Sequence, residues 1–133
     1  MDGCPFCGPK NQKIIKENDT AYLTYSLAPY HPDHLLVCPK RHAEHLLELT
    51  PEEIKDIDAL QKEGLAALEK LGYSDVTIMV REGLHSGKSV PHSHYHLIPV
   101  VLLDAGVHGE SDRSVLTIAE QEMLIEKMRA IIL

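Results

Sequence analysis

The segment Pro91-His92-Ser93-His94-Tyr95-His96-Leu97-Ile98 places three imidazoles at alternate positions of a predicted strand. Alternate side chains of a strand share one face, so we expect His92, His94 and His96 on the same face at intervals of roughly 6.5–7 Å. Three interpretations are open at this point: a solvent-exposed polar face, a metal site, or nucleophilic attack by a neutral imidazole.

A loop rich in small residues runs directly into this strand. It begins at Arg81 and carries Gly87, Lys88 and Ser89 close to the histidines. Backbone donors, a hydroxyl and two cations are groups that fit a phosphate. The combination of this loop with the three histidines indicates phosphate chemistry more specifically than either feature does alone.

The rest of the chain predicts alternating strands and helices. Thr50, Pro51 and Glu53 form a helix start with a capping box, and apolar residues then recur at helical spacing up to Gly72. The predicted elements are a hairpin of edge strands over 13–17 and 21–26, a buried strand over 34–38, a short helix over 43–49, a long helix over 51–71, strands over 76–81 and 92–101, and a helix from a capping box at Thr117 to about 131. This order predicts an α+β domain with a mostly antiparallel sheet and one helical face.

Length and composition predict one soluble domain spanning residues 1–133. The chain has 44% hydrophobic and 25% charged residues and a net charge of −7. The acidic charge argues against binding to duplex nucleic acid, and the apolar stretch from Leu97 to Leu103 is too short to cross a membrane. Because the first residues lack the pattern of a secretory signal, we expect a cytoplasmic protein.

Two of the three cysteines form the pair Cys4 and Cys7 near the N-terminus. An odd cysteine count without an export signal argues against a disulfide framework and leaves metal binding or redox chemistry. A redox pair is expected between a strand and the start of a helix, whereas this pair is followed by Gly8-Pro9, so metal binding is favoured. Cys38, inside an apolar run, is expected to be a small buried side chain.

These residues resemble the histidine triad (HIT) family, whose signature of His-x-His-x-His and two apolar residues matches His92 to Ile98. The likeness extends to the segment from Pro32 to His42, the long middle helix and the loop before the triad. It implies a HIT α+β domain that forms a homodimer by joining two sheets. The activity it implies is attack on the α-phosphorus of a nucleotide conjugate through a nucleotidyl-histidine.

The resemblance also implies roles for individual residues. His94 is then the nucleophile, His96 and His34 line the phosphate site, and Ser89 lies near the scissile bridge. Zinc-bearing members hold a structural metal at positions that correspond here to Cys4, Cys7, His42 and His92. Two thiolates and two imidazoles form a closed tetrahedral shell suited to Zn²⁺, so we expect a structural zinc in a knuckle over residues 1–9 that is integrated with the domain.

Three positions depart from the common family pattern. Arg81 replaces Asn, Lys88 replaces Gln, and Ser26 occupies the area where many members hold the ribose with Asp or Asn. Our hypothesis is that Arg81 and Lys88 favour a more anionic group, such as a polyphosphate chain, because a guanidinium pairs with phosphate oxygens bidentately.

Two alternative functions stay open from the sequence. One is a hydrolase in which the three histidines hold a catalytic zinc that activates water. The other is a nucleotide-binding or sensing module with negligible turnover.

Overall fold

The computed structural model describes residues 4–8, 13–83, 90–100 and 114–132. Its elements, in chain order, are strands β1 (Lys16–Glu17), β2 (Ala21–Tyr25) and β3 (Leu35–Pro39), a 3-10 turn (Leu46–Glu48), helix α1 (Pro51–Lys70), strands β4 (Val76–Val80) and β5 (Tyr95–Pro99), and helix α2 (Ile118–Ile132). The strands form one antiparallel sheet in the order β1-β2-β3-β5-β4. The predicted α+β class, with a long middle helix and a C-terminal helix, is confirmed.

Helix α1 begins and ends as its sequence predicts. The Thr50 hydroxyl accepts from the Glu53 amide at 3.1 Å, and the Glu53 carboxylate accepts from the Thr50 amide at 2.9 Å. At the other end Gly72 adopts φ 99°, and the amides of Gly72 and Tyr73 bond back to the carbonyls of Glu69 and Leu68. This is a Schellman motif, in which a glycine takes the left-handed conformation at low cost.

One face of the sheet packs against the two helices. The shared core contains Leu23, Leu35 and Leu97 from three strands, together with residues of α1 and α2. Gly64 brings α1 close to β5, because a Cβ at this position would stand 2.6 Å from Leu97 Cδ1. Leu97 therefore faces the helices, and its neighbour His96 faces the opposite side of the sheet.

Two of the predicted elements need correction. The hairpin strands were both expected at an edge, but only β1 is an edge strand; β2 lies between β1 and β3 and all five of its residues are buried. The short helix over 43–49 is also smaller than predicted, because only the 3-10 turn forms there.

The third correction concerns the histidine strand. It begins at Tyr95 rather than His92, so His92 and His94 lie in the segment before β5. The Ser93 amide bonds to the Ala43 carbonyl at 2.6 Å, which holds this segment against the chain after β3 instead of in the sheet ladder. The predicted end of this strand, at residue 101, lies outside the described residues.

The predicted C-terminal capping box is present. The Thr117 hydroxyl accepts from the Glu120 amide at 3.1 Å, and the Glu120 carboxylate accepts from the Thr117 amide at 2.9 Å. Neither α1 nor α2, the α-helices in the described part of the chain, is both long and apolar enough to cross a bilayer.

Candidate active site and metal centre

Four metal-ligating side chains converge beside the segment that precedes β5. One donor atom from each of Cys4, Cys7, His42 and His92 lies within 4.8 Å of the other three. Cys7 Sγ is 3.2 Å from His42 Nδ1, and His92 Nδ1 is 3.4 Å from both sulfurs. Tetrahedral coordination at about 2.0–2.3 Å requires ligand atoms roughly 3.3–3.8 Å apart, so this cluster fits one divalent ion of the kind that prefers sulfur and nitrogen.

The orientation of His92 suits a metal ligand. Its Nε2 lies 2.8 Å from the backbone oxygen of Pro39, which can only accept a hydrogen bond. Nε2 therefore carries the proton, and the lone pair is on Nδ1, the atom that faces the two sulfurs. A carbonyl that fixes the tautomer in this way is the usual outer partner of a metal-bound histidine.

His94 is fixed in the opposite tautomer. Its Nδ1 lies 2.7 Å from the backbone oxygen of His92, so Nδ1 donates its proton and the lone pair is on Nε2. The side chain is 6% exposed and lines a cavity. A buried neutral imidazole with a lone pair directed by a backbone carbonyl is suited to nucleophilic attack.

His34 and His96 form a buried pair next to His94. The Tyr30 amide donates to His34 Nδ1 at 3.1 Å, so His34 carries its proton on Nε2 and donates it to His96 Nδ1 at 2.9 Å. The neutral His96 then carries its own proton on Nε2. Its ring centroid is 4.9 Å from that of His94, so the two imidazoles are direct neighbours.

A cavity of about 290 Å³ opens beside these rings, close to the lower limit of about 300 Å³ for small-molecule sites. His94 and His96 form part of its wall. The remaining described lining is largely apolar and comes mainly from β2 and the residues after it, from β3, and from the N-terminal knuckle, with Lys13 and Val90 in addition. Ser26 is part of that lining, and its amide bonds to the His34 carbonyl at 3.1 Å.

Phe6 joins the metal cluster to the cavity. It lies between Cys4 and Cys7, and its ring centroid is 5.1 Å from that of His94 and 5.9 Å from that of His92. Its carbonyl accepts a 2.6 Å hydrogen bond from the Tyr22 hydroxyl, which ties the knuckle to β2. Phe6 was not predicted as a site residue; its place between the two cysteines was the available signal.

The structure brings together most of the predicted site residues. His34, His94 and His96 form the histidine cluster, Ser26 lines the cavity, and the four predicted metal ligands meet in one place. Arg81 directly follows β4, and its guanidinium bonds to the Tyr30 hydroxyl at 3.2 Å. The other loop residues predicted to bind phosphate, Gly87, Lys88 and Ser89, lie outside the described residues.

The three triad histidines do not share one metal position. His92 Nδ1 faces Cys4 and Cys7, whereas His94 Nδ1 is bonded to a backbone carbonyl. His96 Nδ1 accepts from His34. This arrangement does not favour the alternative in which the triad itself holds a catalytic zinc.

An antiparallel sheet with two helices on one face and a histidine cluster on the other defines a recognisable class of protein. The family model described as the HIT domain matches residues 8–101, which is more than half of the 133-residue chain. The chain belongs to the HIT family.

Individual relatives support this assignment. The chain is 30% identical over 100 residues to an uncharacterized HIT-like protein of Methanocaldococcus jannaschii, covering 72% of this chain and 78% of that protein. It is also 30% identical over 91 residues to the bis(5'-adenosyl)-triphosphatase of Dictyostelium discoideum, covering 68% of this chain and 61% of that enzyme. Among solved structures, a Zn-bound histidine triad family protein from Mycobacterium smegmatis has the same fold, with a TM-score of 0.75 and 24% identity over 98% of this chain and 93% of that one.

Proposed function

We propose that the protein is a nucleotide hydrolase or transferase that attacks the α-phosphorus of nucleotide conjugates. The observation that carries the proposal is the hydrogen bond from His94 Nδ1 to the His92 carbonyl, which directs a lone pair on Nε2 of a cavity-lining imidazole. The HIT relative named bis(5'-adenosyl)-triphosphatase supports the substrate class. The proposed substrates are dinucleoside polyphosphates or nucleoside phosphoramidates.

In the first step His94 Nε2 bonds to the α-phosphorus. The bond from phosphorus to the bridging atom breaks, and its electron pair departs with the leaving group, which leaves as a phosphate anion when that atom is oxygen and as an amine, protonated from solvent, when it is nitrogen. We assign the Nε2 proton of His96 to the reacting group, and the 2.9 Å hydrogen bond that His34 donates to His96 Nδ1 makes this proton a stronger hydrogen-bond donor to the phosphate oxygens. The product of this step is a nucleotidyl-histidine.

In the second step water or another acceptor attacks the same phosphorus. The bond between phosphorus and Nε2 breaks, and its electron pair returns to Nε2 as a lone pair. With water as the acceptor the products are a nucleoside monophosphate and a proton. We assign contacts with the phosphates or ribose to Ser26, Arg81, Gly87, Lys88 and Ser89.

We also propose that Cys4, Cys7, His42 and His92 hold a structural Zn²⁺. The donor set is the support, since two cysteine sulfurs and two histidine nitrogens within 4.8 Å of one another make a complete four-ligand set, which leaves no open position for a substrate. When bound, the ion supplies a cross-link between the knuckle and the segment before β5. Its contribution to chemistry is then indirect, through the placement of His94.

Three further features belong to the same proposal. Residues 1–133 form one domain, two copies associate as a homodimer, and the protein acts in the cytoplasm. Sedimentation velocity tests the assembly, for which we expect twice the mass of the 14.9 kDa chain.

The test of the function is turnover of a substrate panel by the wild type and the His94→Ala variant. The panel contains dinucleoside polyphosphates, nucleoside phosphoramidates and nucleotide sugars, with released products followed by chromatography. We expect turnover of at least one class and its loss in the variant. Nucleotide binding without any turnover across the panel would instead support the sensing module.

A further inference from the structure

Arg81 directly follows β4, the strand that pairs with the histidine-bearing strand β5. Met79 of β4 pairs with His96 and Val80 pairs with Tyr95, and Arg81 is the next residue along the chain. Because paired residues of neighbouring strands share a face of the sheet, Met79 lies on the face that carries His96. The end of β4 thus brings a cation to the strand end next to the histidine cluster.

Tyr30 holds this cation in place. The Tyr30 hydroxyl accepts from Arg81 Nη2 at 3.2 Å, and the Tyr30 ring stacks on the His34 ring with 5.8 Å between centroids and 25° between planes. The Tyr30 amide also fixes the tautomer of His34. One residue therefore links the guanidinium to the His34–His96 pair, through its side chain on one side and its backbone on the other.

Strand β4, which Arg81 follows, and the strands that line the cavity lie on different sides of β5. The sheet order places β3 and then β2 on one side of β5, and β4 on the other. The cavity walls that the structure describes include Thr24 and Leu36, on the β2 and β3 side. If the nucleoside part of a substrate occupies this cavity and its phosphorus lies at His94, the leaving group extends toward β4.

We propose that Arg81, positioned by Tyr30, forms a leaving-group subsite that selects polyphosphate-linked substrates over phosphoramidates. The inference rests on the proposed function and deepens it by naming the leaving group. When the bond from phosphorus to the bridging oxygen breaks, the departing phosphate gains negative charge, and a guanidinium stabilises it through paired hydrogen bonds while remaining protonated. An amine that departs from a phosphoramidate gains no such charge.

Binding provides the first test, because it does not depend on turnover. The probes are AMP, which fills only the nucleotide side, and ATP, whose β- and γ-phosphates extend toward the leaving-group side. We expect Arg81→Gln to reduce the preference for ATP over AMP by about tenfold or more, as expected for loss of a charge-assisted hydrogen bond. Arg81→Lys, which keeps the charge and loses the planar fork, should lie between the wild type and Arg81→Gln.

Tyr30→Phe separates the two roles of Tyr30. The variant keeps the ring and the backbone amide that contact His34 and removes the hydroxyl that contacts Arg81. We expect a weaker preference for ATP over AMP and a higher KM for a dinucleoside polyphosphate, with a smaller change in kcat/KM for a phosphoramidate. A loss of kcat on both substrates would contradict the assigned role of the hydroxyl.

Lys62→Gln is the matched control. Lys62 lies on α1, which packs on the opposite face of the sheet, and its side chain is exposed and paired with Asp58. It removes the same unit of charge from the protein, so the ATP preference should not change. Equal loss in Lys62→Gln and Arg81→Gln would show a general charge effect and overturn the subsite.

Turnover distinguishes failure of this inference from failure of the proposed function. If the wild type cleaves both substrate classes and Arg81→Gln leaves the ratio of their kcat/KM values unchanged, the leaving-group subsite is wrong and the function stands. If no substrate is cleaved, the proposed function fails and the binding result alone decides the subsite. An unchanged ATP to AMP ratio in a folded Arg81→Gln protein overturns it in either case.

Discussion

Backbone atoms set the chemistry of the histidine cluster at the scale of single residues. The His92 carbonyl fixes the proton of His94 on Nδ1, and the Tyr30 amide fixes that of His34 on Nε2. The His34–His96 hydrogen bond then places a donor on Nε2 of His96. The three rings therefore have different roles although their side chains are identical.

We predict that His34→Ala lowers kcat by about 10²-fold or more with a smaller effect on KM. The variant removes the donor to His96 Nδ1, so the proton on the other nitrogen of His96 is no longer fixed. His31→Ala is the control, because His31 lies in the same loop as His34 but its ring packs on Tyr73. Steady-state kinetics should show near wild-type kcat for His31→Ala; equal losses would mean that the loop, not the hydrogen bond, is responsible.

Phe6 gives a second prediction at this scale. Removal of its ring in Phe6→Ala takes away the contact with His94, and we expect kcat to fall roughly tenfold to a hundredfold. Phe6→Tyr keeps an aromatic ring and should recover most of the activity. Zinc content, measured by elemental analysis, should be equal in both variants; parallel loss of zinc and activity would assign the effect to the metal cluster.

At the scale of elements, the N-terminus of α1 holds the segment that carries His42. Glu53 is 5% exposed, and its carboxylate accepts two hydrogen bonds from Arg41, at 2.8 and 3.0 Å, in addition to the capping bond from Thr50. Arg41 also donates to the Glu48 carbonyl. Glu53 thus joins the capping box to Arg41, the residue that precedes the candidate metal ligand His42. We call this set of contacts the Arg41–Glu53 clamp.

This clamp predicts an acid-dependent loss of stability. The Arg41 guanidinium, together with the Thr50 donors, holds the pKa of Glu53 below its ordinary value of 4.5. Because the folded pKa is lowered, the stabilisation is present above about pH 4.5 and is lost as the pH falls through the lowered value. Thermal melting from about pH 6 to about pH 3 should show a smaller decrease in Tm for Glu53→Gln than for the wild type; an identical decrease would contradict the assignment.

At the scale of the whole molecule, the metal cluster joins distant parts of the chain. Cys4 and Cys7 come from the N-terminus, His42 follows β3, and His92 precedes β5. Phe6 and the Tyr22 hydroxyl extend the same junction to the cavity and to β2. A metal held by these four residues would therefore stabilise both the fold and one wall of the candidate active site.

We predict one zinc per chain, and loss of thermal stability together with loss of nucleotide binding when a chelator removes it. Both follow because the knuckle contributes metal ligands and the cavity wall formed by Phe6. Elemental analysis, thermal melting and AMP titration measure the three effects. A metal-free protein with unchanged Tm and AMP affinity would contradict the structural role, and inhibition without any loss of stability would favour a catalytic metal.

Local sequence signals explain what could be predicted. The capping boxes at Thr50 and Thr117 and the apolar spacing of α1 depend on neighbouring residues, so the helices were predicted well. The metal ligands were predicted from the resemblance to the HIT family, and the structure brings those four side chains together. The early start predicted for β5 was wrong because His92 turns to the cysteines, a contact across 85 residues that strand periodicity does not include.

Side-chain partners within the site could not be predicted in the same way. The His34–His96 bond joins residues 62 apart, and the Arg81–Tyr30 bond joins residues 51 apart. Each depends on how β3, β4 and β5 align in the sheet and on which rotamers pack together. Sequence patterns identify the reactive residues, whereas the tautomers and the second partners require the folded chain.

A nucleotidyl intermediate on His94 is tested most directly by the intact mass of the protein, measured within milliseconds of mixing with a dinucleoside polyphosphate or a phosphoramidate. We predict an added nucleotidyl group, located on His94 by peptide mapping at neutral or alkaline pH. The adduct should be absent from His94→Ala. Turnover of the same substrate by His94→Ala at the wild-type rate, or an adduct located on another residue, would contradict the account.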